Sequence, residues 1–191
     1  IDLKPEYNKF LRVIERDNGE KVYLRVFNDN MKYPEEAEIS AAMKRLISPS
    51  PLVAFSTGYG SREIDNYGGR GFYLFGHDKW FRQSLLNSGF NTRTIDLDKE
   101  DVASDIDVLV ISDLREPLSD VAQKKVQDYI AKGGNMFILG DYNRENNMNR
   151  LTEFLGVRFL KGVVVNPNEY VSPTILPARF TKESAERYPQ Y

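Results

Sequence analysis

The chain reads as an α/β protein with a mainly parallel sheet, preceded by a β-hairpin and one helix. Apolar runs of strand length, residues 52–57, 107–112 and 135–140, alternate with segments of helical periodicity, the arrangement of strand–helix–strand units. Those runs are nearly continuous in Leu, Val, Ile and Phe, as in strands covered on both faces. Ahead of them, two apolar-rich runs between Tyr7 and Phe27 flank Asp17-Asn18-Gly19-Glu20, where Asn-Gly supplies the positive φ angles of a tight hairpin turn.

After the hairpin, Pro34-Glu35-Glu36 opens a helix, with proline fixing φ and acids complementing the helix dipole. Ile39, Met43, Leu46 and Ile47 give that helix one apolar face. Ser48-Pro49-Ser50-Pro51 ends it, because each proline pushes its predecessor out of helical geometry. Strand 52–57 then runs into a glycine- and aromatic-rich loop. A helix over Asp78–Asn87 is expected to bury Phe81 and Leu85, and Ser88-Gly89 stops it. Thr92–Leu97 is a short strand and Asp107–Ser112 a buried one. Ser119 caps a helix whose Ala122, Val126, Tyr129 and Ile130 share a face, and Gly133-Gly134 ends it. Asn135–Gly140 is another buried strand, and Met148, Leu151, Phe154 and Leu155 mark the next helix. From Asn166 to Tyr191 the chain is punctuated by prolines and extended, with a short helix near Lys182–Arg187. The expected divisions are residues 1–48, 52–165 and 166–191.

Composition excludes several classes. The chain has 191 residues, 41% of them hydrophobic and 28% charged, which is the balance of an ordered globular protein. A net charge of -2 gives no electrostatic reason to expect nucleic acid or an anionic membrane surface. There is no cysteine, so disulfides, thiolate metal sites and a cysteine nucleophile are all excluded. No stretch approaches the roughly 18–20 consecutive apolar residues of a membrane span. The chain opens Ile1-Asp2-Leu3 without methionine and reads as a segment of a longer protein.

The strand-end turns are where an α/β sheet collects ligands. Thr57, Gly58, Tyr59, Gly60 and Arg62 follow the first strand, Asp113 and Arg115 the third, and Asp141 the last. These eight are the candidate ligand- or partner-binding residues. Arg62 and Arg115 are the natural anion-facing groups, unless Glu63 and Glu116 neutralise them in surface pairs. The Thr57–Gly60 turn offers backbone amides to a phosphate, but it lacks both the dinucleotide fingerprint and the Gly-Lys-Ser/Thr of a P-loop. The acids Asp96, Asp98, Glu100, Asp101, Asp105 and Asp107 fit no calcium loop and read as a solvated connection. His77, the one histidine, is placed at a helix start beside Gly76 and Asp78. No Gly-x-Ser-x-Gly elbow exposes a serine. Phe72, Tyr73, Phe75, Trp80 and Phe81, beside Arg70, offer stacking faces for a base or sugar, or else pack the loop onto the domain. No catalytic residue, metal or cofactor is assigned.

Longer blocks carry a resemblance. They are Glu36-Ala37-Glu38-Ile39-Ser40-Ala41-Ala42, Lys44-Arg45-Leu46-Ile47 and Val53-Ala54-Phe55-Ser56-Thr57-Gly58-Tyr59-Gly60, followed by Asp105–Ile111, Tyr129–Asn135 and Gly156-Val157-Arg158-Phe159. In this order they resemble the gliding-motility-type ABC-transporter auxiliary family (GldG-like), known mainly from Bacteroidetes-like bacteria. That family usually has Thr-Gly-His-Gly-Glu-Arg where this chain has Thr57-Gly58-Tyr59-Gly60-Ser61-Arg62, so Tyr59 stands in place of histidine and the acid moves to Glu63. The resemblance implies a fold similar to class I glutamine amidotransferases, a flavodoxin-like three-layer sandwich. It also implies a soluble domain on the periplasmic side of the inner membrane. The partners would be membrane-spanning segments of the parent protein and an ABC-type ATPase/permease complex. The amidotransferase cysteine sits on the sharp turn after a central strand, and Phe137–Tyr142 is the expected equivalent, without the cysteine. The leading expectation is therefore a non-catalytic transporter domain. The alternative is a carboxylate-based hydrolase or carbohydrate-binding module using Asp113, Asp141 and Arg115.

Overall fold

The computed structural model describes residues 3–7, 9, 11–27, 29, 31–167, 172, 174–176 and 181–187. The chain divides into two compact units, Ile1–Phe159 and Leu160–Tyr191.

The first unit begins with strands β1 (Leu11–Glu15) and β2 (Lys21–Arg25), antiparallel, with Leu11 opposite Arg25 and Glu15 opposite Lys21. The turn differs from the expected two-residue form. Gly19, at φ +87°, is left-handed and Asn18 is not. Arg16 N–H donates to the Glu20 carbonyl and Gly19 N–H to the Arg16 carbonyl, both at 2.9 Å. The loop is therefore a three-residue one closed by a left-handed glycine, and Asn18 contributes its side-chain oxygen to the Glu20 amide at 3.1 Å.

Helix α1 (Glu36–Ile47) forms where expected but turns the other way. Ile39, Met43 and Ile47 face outward, Ile47 being 74% exposed, while Glu38 and Ala42 are buried. Two polar anchors explain this. Arg82 pairs with Glu38 and, at 2.7 Å, with Asp29. Arg45 donates to the carbonyls of Leu86 (2.7 Å) and Phe90 (2.8 Å). Buried, fully partnered charges are costly to break, so their geometry outweighs the apolar stripe in setting the helix's rotation.

The main sheet contains β3 (Leu52–Ser56), β4 (Asn91–Ile95), β5 (Val108–Ser112) and β6 (Asn135–Leu139) in the order β4-β3-β5-β6, all parallel. Between them lie α2 (Tyr73–His77) and α3 (Asp120–Ala131), and α4 (Glu145–Thr152) follows β6. The two-residue period of the strands sorts the core. Ala54, Leu109 and Ile111 face one side with Ile95, meeting Ala122, Val126 and Tyr129 of α3 and Met148 and Leu151 of α4. Val53, Phe55 and Val110 face the other, meeting Ile64, Phe72, Leu85 and Phe90. Ser119 caps α3 as expected, its hydroxyl accepting from Ala122 N–H at 3.0 Å.

Three expectations are corrected. No helix spans residues 78–87; α2 is earlier and short. The Asp78 carboxylate accepts from the amides of Trp80 (2.6 Å) and Phe81 (2.8 Å), and the Asn87 side chain donates to the carbonyls of Lys79 (3.2 Å) and Phe81 (2.9 Å). These side chains take the backbone groups that a helix would use. Phe81 is consequently exposed, and Asp78, Arg82 and Ser84 are the buried residues there. The second sheet face is thus covered by a long loop carrying one short helix. Finally, β6 is an edge strand, and Phe137 on it is 52% exposed, rather than buried on both faces.

In the second unit, α5 occupies Lys182–Arg187, where the sequence places it. Of the extended segment expected over 166–191, residues 168–171, 173, 177–180 and 188–191 lie outside the described residues.

Candidate functional site

Because the four strands are parallel, their C-terminal ends open onto one rim, and the turns after β3, β5 and β6 meet there. The centre of the rim is Asp113, the residue after β5, whose side chain is 2% exposed. Three arginines converge on its carboxylate. Arg62 Nε lies 3.3 Å and Arg70 Nη1 2.7 Å from Oδ2, and Arg144 Nε lies 3.2 Å from Oδ1. Arg62 also reaches the exposed Asp141 at 3.0 Å, which ties the β3, β5 and β6 turns together.

The backbone is strained at the same place. Asp113 (φ +48°), Tyr59 (φ +56°) and Asn143 (φ +58°) are three of the four left-handed non-glycine residues among those described. Such conformations gather at functional sites, where surrounding contacts hold them. Asp113 is held by its own N–H, which donates to the Leu139 carbonyl at 2.8 Å.

Tyr59 is a pin rather than a ligand-facing ring. Its carbonyl accepts from the amides of Arg115 (2.9 Å) and Glu116 (3.1 Å). Its hydroxyl donates to Asp98 and accepts from Ser119 N–H at 3.3 Å, while the Ser119 hydroxyl donates to Asp98 at 2.6 Å. The hydroxyls of Ser119 and Tyr59 hold the Asp98 carboxyl below its ordinary range. Gly60, at φ +63°, is needed where it stands, since a Cβ there would lie 2.8 Å from Cβ of Arg115. Thr57 N–H donates to the Ile95 carbonyl at 2.9 Å and Gly58 N–H to the Glu63 carboxylate at 3.1 Å. Two amides of the supposed phosphate cradle are therefore already occupied.

All eight predicted residues lie on the rim's turns, but their roles differ. Arg62, Asp113 and Asp141 form one bonded cluster. Arg115 lies along Gly60 and has no ion pair among the described residues. Among the described residues neither Glu63 nor Glu116 forms an ion pair with an arginine, contrary to the surface-pair alternative; Glu63 accepts from the Gly58 amide instead. Arg70 and Arg144 are the two cluster members absent from the predicted set. Arg144 carried a faint signal, standing three residues after Asp141 in a strand-end turn. Arg70 sits deep in a glycine-rich loop, and nothing in its sequence context points to Asp113.

Elsewhere, His77 ends α2 rather than starting a helix, and its Nε2 lies 3.5 Å from Asp65. The acidic run pairs locally, Asp96 with Lys99 (2.6 Å), Glu100 with Arg93 (3.1 Å) and Asp101 with Lys125 (3.4 Å). Phe72 packs into the core against Phe55, with ring centroids 6.0 Å apart, whereas Phe75 and Phe81 are exposed. Phe137–Leu139 belong to β6, an edge strand, so the turn that follows does not leave a central strand, whereas Asp113 follows the central β5.

An open parallel sheet with a charged strand-end rim defines an α/β domain. The family model described as an ABC-type uncharacterized transport system matches residues 50–191, and the chain belongs to that family, as an auxiliary component of an ABC-type transport system. No helix among the described residues is long and apolar enough to cross a membrane. No curated protein matches the chain. A solved structure titled "mmIFT52 N-terminal domain" is 16% identical, with a TM-score of 0.45, over 64% of this chain and 53% of that one. The chain therefore spans about half the length of that structure.

Proposed function

We propose that this chain is a non-catalytic, extracytoplasmic domain of a permease or auxiliary subunit of the GldG-like branch, and that its strand-end rim docks another component of the transporter. The flavodoxin-like, amidotransferase-related kinship and the periplasmic location belong to the same reading. Family membership supports the transport role. The observation that carries the docking role is the convergence of Arg62, Arg70 and Arg144 on Asp113 at the rim. Arginine clusters of this kind suit recognition of acidic groups.

The hydrolase alternative fits the geometry less well. A glycosidase-type pair needs one carboxyl kept protonated. Here Arg62 bonds both candidate carboxylates, and Asp141 is held below its ordinary range by the Tyr142 amide and by Arg62. The test is a double substitution, Arg62→Ala with Arg115→Ala, in the full transporter, followed by partner capture and an export assay. Loss of capture with the fold intact supports docking; unchanged capture and export refute it. A reporter fused to the full gene product reads the side of the membrane independently.

A further inference from the structure

We propose that the rim recognises a carboxylate presented by an acidic protein partner, which takes the place that Asp141 now holds on Arg62. This rests on the reading of the rim as the docking surface and names what that surface binds.

The bonded cluster contains three cations and two anions, so one positive charge is left over. Each guanidinium also keeps donors in hand. Arg62 uses Nε and one terminal nitrogen, Arg70 gives its terminal nitrogens to Asp113 and to the Gly60 carbonyl (3.2 Å), and Arg144 uses Nε and the nitrogen bonded to the Asn143 carbonyl (3.2 Å). That leaves the second terminal nitrogen of Arg62, Nε of Arg70 and the second terminal nitrogen of Arg144 without a bond among the described residues. Side chains of Arg62, Arg70 and Arg144 are 27%, 33% and 30% exposed, so the cluster is open to solvent in part.

The two anions differ in kind. Asp113 is buried, conformationally fixed and shared three ways, so it anchors the arginines in a preorganised array. Asp141 is 52% exposed and meets one arginine. It is the exchangeable member, a carboxylate of the protein's own seated where a foreign one fits. A single excess charge matches a carboxylate better than a phosphate dianion, and the planar fork of arginine matches its geometry. A cavity of about 310 Å³ on the sheet face beside Phe75 and Phe137 is apolar and is not lined by the arginines of the cluster. With Asp141 half-exposed and the three arginines about a third exposed, the cluster stands open at the rim, which suits a protein surface rather than an enclosed small molecule. Nearby acids do not complete the cluster. Glu63 is engaged by the Gly58 amide, and Glu116 and Glu145 have no ion pair among the described residues.

The test uses the 191-residue chain with two probes, sodium acetate and an N-acetylated, C-amidated hexaglutamate peptide, against sodium chloride at equal ionic strength. Arginine Nε–Hε resonances are followed by NMR. Saturable shifts at Arg62, Arg70 and Arg144 with acetate and peptide, but not chloride, are expected. Asp141→Asn should tighten peptide binding roughly 2- to 5-fold, the factor set by removing one exposed competing pair. Arg62→Gln should weaken it by about 10-fold or more, with folding checked by thermal melting. Absence of saturable shifts, an equal response to chloride, or weaker binding by Asp141→Asn overturns the proposal. So does preferential binding to phosphatidylglycerol vesicles or inorganic phosphate at matched ionic strength. If the peptide fails to bind yet Arg62→Gln abolishes capture in the full transporter, the carboxylate inference falls and the docking reading stands. If the peptide binds but capture ignores Arg62→Gln, the docking reading falls, and the partner named here with it.

Discussion

Replacing Asp113 by Asn tests whether one buried carboxylate holds the rim together. Asparagine keeps the volume and tolerates the left-handed backbone at φ +48°, so the substitution changes charge with little change in strain. Three contacts to arginine are affected. Charge-assisted hydrogen bonds contribute about 1.5–3 kcal/mol each, which sets an upper bound of roughly 4.5–9 kcal/mol for three. Two effects reduce it. The amide oxygen still accepts, and arginines about a third exposed can turn toward water. A net loss of about 2–4 kcal/mol remains, in line with breaking a largely buried ionic cluster. For a chain of this size that is a fall in Tm of about 5–15 °C. Calorimetry and urea denaturation at pH 7 measure it, and a double-mutant cycle with Arg144→Gln should return a coupling of about 1–2 kcal/mol. A Tm within about 1 °C of the parent, or a more stable variant, would refute the view of Asp113 as the rim's anchor.

Other outcomes follow from single contacts. Gly60→Ala places a Cβ 2.8 Å from Arg115 Cβ at a left-handed φ, and should cost about 1–3 kcal/mol in urea denaturation. Arg82→Met removes the partner of Glu38 and Asp29 and should destabilise by about 3 kcal/mol, with amide exchange accelerating first in β1, β2 and α1. Acid lability should centre on Glu6. Its burial acts to raise the carboxyl, but Arg25 and Lys79 outweigh it and leave the folded value below the ordinary one. A depressed carboxyl stabilises fully above the unfolded value near 4.3 and loses that contribution as pH falls through the folded value. A pH series of melts should therefore show Arg25→Gln flattening the acid limb below about pH 4.3. An unchanged limb would show that the pair contributes nothing there.

The local elements were legible because their causes are local. Gly19 announces the hairpin, Ser119 caps α3, and the apolar runs of β3 and β5 demand a buried parallel sheet. The strand-end rule then placed Arg62, Asp113 and Asp141 on one rim before any contact was known. Periodicity failed where side chains from distant segments decide. The apolar stripe of α1 was assigned inward, yet Arg82 and Arg45 fix that helix by its charged side. The apparent helix over 78–87 is undone by Asp78 and Asn87 bonding the backbone themselves. Strand order is likewise invisible in the sequence. An apolar run reads the same at a sheet's centre as at its edge, so β6 was expected to be covered on both faces.

What the sequence by itself determined was the class of fold, the turn chemistry and the end of the sheet where the charged strand-end turns gather, since each follows from residues close together in the chain. Only the tertiary structure decided that Arg70 and Arg144 join Arg62 on Asp113, with Arg115 left aside. Those partners are 43 and 31 residues away from Asp113. Pairing at such separations is chosen by how the loops pack and which charges lose their water, and no local pattern encodes either.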